Sequence, residues 1–119
     1  MTPEQMVCEA AAALDGKKGI DIRAIELRDL SILADYFVIA SGTSNTHVRA
    51  LSDEVEFRLA QRGCRPMRIE GGSTENWMLL DYGAVIVHVF QDKAREFYDL
   101  ERLWQDGKVY PLDDILHPD

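Results

Sequence analysis

A single α/β domain, with helices flanking a mixed sheet of about five strands, is the fold class the sequence predicts. Three stretches carry that prediction. Tyr36–Ala40 is apolar at every position, as a strand covered on both faces must be. Val48, Leu51, Val55 and Leu59 then recur at three- and four-residue spacing, the stripe of an amphipathic helix. Trp77–Leu80 and Ala84–Phe90 are two apolar runs separated only by Asp81-Tyr82-Gly83. Runs joined so closely should lie side by side as a hairpin, with Gly83 able to take the positive φ that a tight turn requires.

The elements follow in order. Thr2-Pro3-Glu4-Gln5 reads as a helix start, with Thr2 as cap, Pro3 at the first helical position and Gln5 completing a capping box. Met6, Val7, Ala10 and Leu14 form its apolar stripe, and Asp15-Gly16 ends it. Ile20, Ile22, Ala24 and either Ile25 or Leu27 follow an approximate alternation with Asp21, Arg23 and Glu26 between, which predicts a half-exposed strand near a sheet edge. Arg28 to Ala34 is a connection. After the Tyr36–Ala40 strand, Gly42-Thr43-Ser44-Asn45 opens the middle helix with Thr43 or Ser44 as cap, and Gly63 stops it. Burying its stripe contributes ~1.5–3 kcal/mol for each large side chain before entropy is counted. Pro66 to Glu70 reads as a short strand, alternating Met67 and Ile69 with Arg68 and Glu70, and Gly71 to Asn76 is a flexible polar loop leading into the hairpin. Asp92 is expected to cap one last helix whose inner face carries Ala94, Phe97, Leu100 or Glu101, and Trp104. Asp106-Gly107 closes it, and Lys108 to Asp119 reads as a tail with a frayed end.

Composition narrows the function classes. At 119 residues, two domains would each be too small for a good core. The net charge is −8, spread unevenly, with −2 on residues 1–70 and −6 on residues 71–119. Such a field repels phosphate backbones, so direct nucleic-acid binding is not the expected main activity, and a basic protein partner is favoured. Cys8 and Cys64 form no CxxC and read as reduced thiols of a cytoplasmic chain. The longest apolar run is far short of the ~20 residues a membrane span needs. No secretory or transit segment is visible, which fits a bacterial cytoplasmic protein or a processed organellar one.

Catalytic readings are weak. The Gly42–Asn45 turn could cradle an anion on backbone N–H groups, or be a plain capped strand-to-helix junction; it matches neither common phosphate-loop pattern. It also resembles the Gly-Ser helix start of nucleotidyltransferases. Those enzymes need two carboxylates at alternate positions of a strand to hold metal ions, and neither Met67–Glu70 nor Leu79–Tyr82 supplies them. The fold is therefore expected to be nucleotidyltransferase-like without the catalytic carboxylates. Glu70 and Asp81 could flank a cleft as an acid/base pair, or simply be strand-end carboxylates. His88, within an apolar strand, reads as a hydrogen-bonded core residue. Cys8, Cys64, His47 and His88 lack metal-ligand spacing. The expectation is a non-enzyme with no cofactor.

Five blocks in order then point to a family: Ala34–Leu51, Glu70-Gly71, Trp77–Gly83, Val87–Phe90 and Arg95–Trp104. Together they resemble the ribosomal silencing factor family, also called Iojap-like, over about residues 4 to 108. Residues 1–108 accordingly read as the domain and 109–119 as an acidic tail. The resemblance implies binding to the large ribosomal subunit through its fourteenth protein, uL14, at the face where the small subunit docks. Occupying that face would block subunit joining and repress translation. It also implies a role in large-subunit assembly for mitochondrial relatives and a homodimer as a state open to the free protein.

Within the hairpin, Trp77, Leu79 and Asp81 point one way, and Met78, Leu80 and Tyr82 the other. One set must face the core. Trp77 is either a core side chain or a contact anchor. The reading adopted takes Trp77, Leu79 and Asp81 as partner-binding residues, with Glu70 and Tyr82 as neighbours, since Trp is enriched at interface hot spots.

Overall fold

The computed structural model describes residues 1–28, 30, 32, 34–71, 76–103 and 107–116, except for the side chains of Phe97 and Leu103. The expectations for Phe97, Trp104, Asp106 and the frayed end at residues 117–119 lie outside these. The elements run α1 (Pro3–Gly16), β1 (Ile20–Glu26), β2 (Tyr36–Gly42), α2 (Asn45–Gln61), β3 (Arg68–Glu70), β4 (Trp77–Asp81), β5 (Val85–Gln91), α3 (Asp92–Tyr98), α4 (Leu100–Leu103), β6 (Lys108–Tyr110) and α5 (Asp113–Leu116). The strands form one six-stranded sheet in the order β3-β4-β5-β2-β1-β6. Among the described residues only β2 and β5, at its centre, pair in parallel; β1–β2, β1–β6, β3–β4 and β4–β5 are antiparallel.

The caps at the helix starts explain where the first two helices begin. Thr2 Oγ1 accepts from the Gln5 N–H at 3.1 Å and Gln5 Oε1 from the Thr2 N–H at 2.8 Å, the reciprocal box expected from the sequence. Ser44, rather than Thr43, caps α2, its Oγ accepting the His47 N–H at 3.1 Å. Val48, Leu51, Val55 and Leu59 are all buried, as the helical spacing requires.

The sheet separates two apolar clusters. On one face α1 and α2 cover Tyr36, Val38, Ala40, Met78, Leu80, Tyr82, Val85, Val87 and Val89. The other face carries Ile25, Phe37, Ile39 and Phe90. They cluster with Leu27, Ala34 and Ala94 of α3, and Trp77, Ile86 and Leu100 pack around their edge. The first cluster is thick and closed. The second is thin, and the end of β4 leaves it half-exposed.

Four local expectations change. Lys108–Tyr110, read as tail, pairs with Ala24–Glu26 as a sixth strand and forms the edge, which leaves β1 next to the edge as expected. Leu112 behind it is buried, and Ile115 and Leu116 of α5 pack against the α1 side. The half-exposed alternation of β1 fails because both faces of the sheet are covered at its second half, so adjacent Ala24 and Ile25, which point to opposite faces, are both buried, one in each cluster; a register shift between Ile20 and Arg23, with Asp21 at φ 49°, interrupts the pairing ahead of them. The last helix is two: Asp99 adopts the left-handed conformation at φ 47° and ends α3. Gln91, not Asp92, holds the N-cap position of α3, and it makes no side-chain capping bond.

Candidate partner-binding face

The β4–β5 hairpin closes as the sequence predicts. Gly83 lies at φ 85°, its N–H donates to Asp81 Oδ1 at 2.8 Å, and the Tyr82 N–H donates to the Val85 carbonyl at 2.9 Å. This short turn sets the register. Trp77 lies opposite Phe90, Leu79 opposite His88 and Asp81 opposite Ile86. On the other side of β4, Leu79 faces Glu70 and Asp81 faces Arg68. Directly opposed residues share a sheet face. Trp77, Leu79, Asp81, Glu70 and Arg68 are thus brought together on the thinly covered face.

Exposure along β4 alternates, with Trp77, Leu79 and Asp81 half-exposed and Met78 and Leu80 buried. Tyr82 is not brought to this face. It is 7% exposed, within the cluster beneath α1 and α2, and is core rather than a neighbour on the surface. Burial, followed by the nearby Glu56 and Cys64, pushes its phenol pKa up, and its hydroxyl has no hydrogen-bond partner among the described residues. Glu70 is exposed at the end of the edge strand.

Trp77 is both packed and presented. Its ring stacks on Phe90 with centroids 4.8 Å apart and meets Tyr98 of α3 at 4.7 Å. Its Nε1–H donates to His88 Nδ1 at 3.2 Å. That bond makes Nδ1 the acceptor and leaves the ring proton on Nε2. Nε2 is buried without a partner among the described residues, and desolvation pushes the His88 pKa down to about 4, so the ring is neutral at physiological pH. Phe37 meets the same ring edge-on at 4.6 Å. Trp77 is therefore held in one orientation by an aromatic bed and a hydrogen bond, with part of its surface in solvent. His88 is the hydrogen-bonded core residue expected of it. Its bond to Trp77 was legible only through the hairpin register, which places the two on one diagonal.

The alternative chemistry fares differently. At the Gly42–Asn45 turn the Thr43 N–H donates to His47 Nδ1 at 2.9 Å, and His47 Nε2–H donates to the Lys17 carbonyl at 2.8 Å. The N–H groups of Thr43 and His47 that an anion would use are engaged within the chain. Glu70 and Asp81 sit on one face, but Arg68 lies against both, at 3.5 Å and 3.7 Å. Among the described residues, no group of three His, Cys, Asp or Glu side chains could hold a metal ion.

Sequence reasoning passed over Arg95. Its side chain is 9% exposed and bonds Glu101 through Nε at 2.9 Å and Nη2 at 3.2 Å. Nη1 donates to the Asp21 carbonyl at 2.8 Å and Ser41 Oγ at 3.0 Å. It ties α3 and α4, whose Tyr98 rests on Trp77, to the bulge of β1 and the end of β2. Its partners are 54 and 74 residues away in sequence, so no local pattern marks it.

Comparison with known proteins identifies the family and the fold. The family model described as "Ribosomal silencing factor during starvation" matches residues 1–119. The ribosomal silencing factor of Bacillus subtilis is 37% identical over 113 residues, covering 95% of this chain and 96% of its own. A mouse protein named for mitochondrial assembly of the ribosomal large subunit is 34% identical over 87 residues, 71% of this chain and 38% of its own. A crystal structure from Chromobacterium violaceum superimposes with a TM-score of 0.86 at 34% identity, covering 88% of each chain. With the whole chain matched, and the α/β architecture shared with a solved structure, this protein belongs to the ribosomal silencing factor family.

Proposed function

We propose that this protein represses translation without catalysis, by docking on the large ribosomal subunit through uL14 and blocking subunit joining. The observation that carries the reading is the face of β4, where Trp77, Leu79 and Asp81 stand half-exposed over a rigid aromatic bed. A tryptophan fixed before binding loses little side-chain entropy on docking, which is what an interface anchor requires. Glu70 forms the acidic rim, and Tyr82 supports the hairpin from behind. The net charge of −8 favours a basic ribosomal protein and disfavours wider contact with rRNA. No helix among the described residues is long and apolar enough to cross a membrane, in keeping with work on cytoplasmic ribosomes. A homodimer of the free protein through the same face would compete with docking.

Addition of the purified protein to separated subunits, followed by sedimentation, tests the reading. Seventy-S formation should fall as the protein saturates the large subunit; undiminished joining at saturation refutes the silencing role. A second reading, that the protein acts in large-subunit assembly, is favoured by the name of the mouse relative. It uses the same face, and depletion should then accumulate large-subunit precursors.

A further inference from the structure

The rim of the Trp77 face holds an ion arrangement that is loose on one side and fixed on the other. Arg68, on edge strand β3, lies opposite Asp81. Its Nη2 is 3.7 Å from Asp81 Oδ2 and its Nε is 3.5 Å from Glu70 Oε1. Both separations exceed the ~2.7–2.9 Å of a charge-assisted hydrogen bond. The Arg68 and Glu70 side chains are 62% and 56% exposed, so water screens the pairing. Asp81 differs. Its side chain is only 20% exposed, and Oδ1 is tied to the Gly83 N–H at 2.8 Å, which fixes the carboxylate and leaves Oδ2 for an outside donor. Leu79, between Glu70 and His88 in the sheet register, supplies apolar surface on which the methylene stem of a long cationic side chain can lie.

We propose that Asp81 Oδ2, with Glu70 and Leu79 beside it, is a receptor for a Lys or Arg side chain on a basic protein segment, and that Arg68 is the chain's own occupant of that receptor. Docking exchanges the loose internal pair for a better-aligned and drier one, and Arg68 swings into solvent. Arg68 thus acts as a built-in competitor that sets the affinity of the face. The occupant is a basic protein segment rather than nucleic acid because the carboxylates and the −6 charge on residues 71–119 repel phosphate. This inference rests on the proposed function and adds the chemistry of its contact.

The test measures binding to purified large ribosomal subunits at low and high salt. The proteins are the wild type, Arg68→Gln, Asp81→Asn, the double variant and Arg62→Gln. Asp81→Asn keeps the Oδ1 acceptor for the Gly83 N–H, so the hairpin turn is preserved. Arg62, at the C-terminal cap of α2, lines a separate groove with Glu4, Glu9 and Ile115 and controls for the general loss of one positive charge. Arg68→Gln should bind about two- to fivefold tighter at low salt. The gain should shrink at high salt, be absent in Arg62→Gln, and vanish when Asp81 is already Asn. Unchanged or weaker binding by Arg68→Gln, an equal gain in Arg62→Gln, or a gain that survives Asp81→Asn overturns the inference while leaving the docking reading in place. Failure of the wild type to bind overturns both.

Discussion

Acidification from pH 7 to pH 5 should destabilise the wild-type fold more than a variant whose residue 88 cannot titrate. His88 is 4% exposed, and burial holds its pKa at about 4. In an unfolded chain the value is about 6.5. At pH 5 the unfolded chain binds a proton at this position that the folded chain does not, so stability falls as pH falls. The contribution is complete above the unfolded pKa and is lost between about 6.5 and about 4, at ~1.4 kcal/mol per pH unit. By pH 5 the loss is about 2 kcal/mol, and by pH 4 about 3 kcal/mol. His88→Gln removes the titration and retains an acceptor for the Trp77 N–H. Urea unfolding of both proteins at the two pH values, followed by tryptophan fluorescence, isolates the effect, because the remaining carboxylates titrate alike in both. The stability difference between wild type and variant should shift by about 2 kcal/mol in favour of the variant at the lower pH. Parallel pH profiles would show that His88 is not a buried neutral imidazole, and the account of how Trp77 is held would go with it.

Other substitutions test the supports of the same face. Trp77→Ala should weaken binding to large subunits by ~2 kcal/mol or more, about thirtyfold, with a smaller loss for Trp77→Phe, which keeps a ring on Phe90; full affinity in a folded Trp77→Ala protein removes it from the interface. Gly71→Ala should destabilise the fold by ~2 kcal/mol or more, read by urea unfolding. Gly71 sits at φ 103°, and a Cβ there would lie 2.5 Å from the Trp77 carbonyl oxygen and 2.8 Å from Met78 Sδ. A wild-type midpoint would mean that this approach is not rigid. Arg95→Met should cost ~2 kcal/mol or more, because Glu101 and Ser41 lose the charged donor that both use. The measurement is thermal or urea unfolding, and an unchanged stability would deny Arg95 its role in holding α3 and α4.

Much of the fold can be read from local pattern because the forces involved are local. The capping box at Thr2 and Gln5, the cap at Ser44 and the stripe Val48–Leu51–Val55–Leu59 each depend on residues within a few positions of one another. The hairpin follows from three turn residues, and the two-residue period of a strand is enough to set Trp77, Leu79 and Asp81 on one face. The family, too, is carried by short blocks of sequence.

What needed the folded chain was every decision that depends on a distant partner. Lys108–Tyr110 is a strand only because Ala24–Glu26 offers a free edge. Arg95 is buried because carbonyls of β1 and the hydroxyl of Ser41 converge on it from far along the chain. Asp99 breaks the last helix against a pattern that would continue it, and the tie from Arg95 to Glu101 spans that break. Strand alternation alone could say that Tyr82 and Trp77 point apart, yet not which of them meets water. That was decided by layer thickness: α1 and α2 seal the Tyr82 side, while the far end of β4 is left partly uncovered. Periodicity assigns a residue to a face, and packing by elements remote in sequence determines whether that face is core or surface.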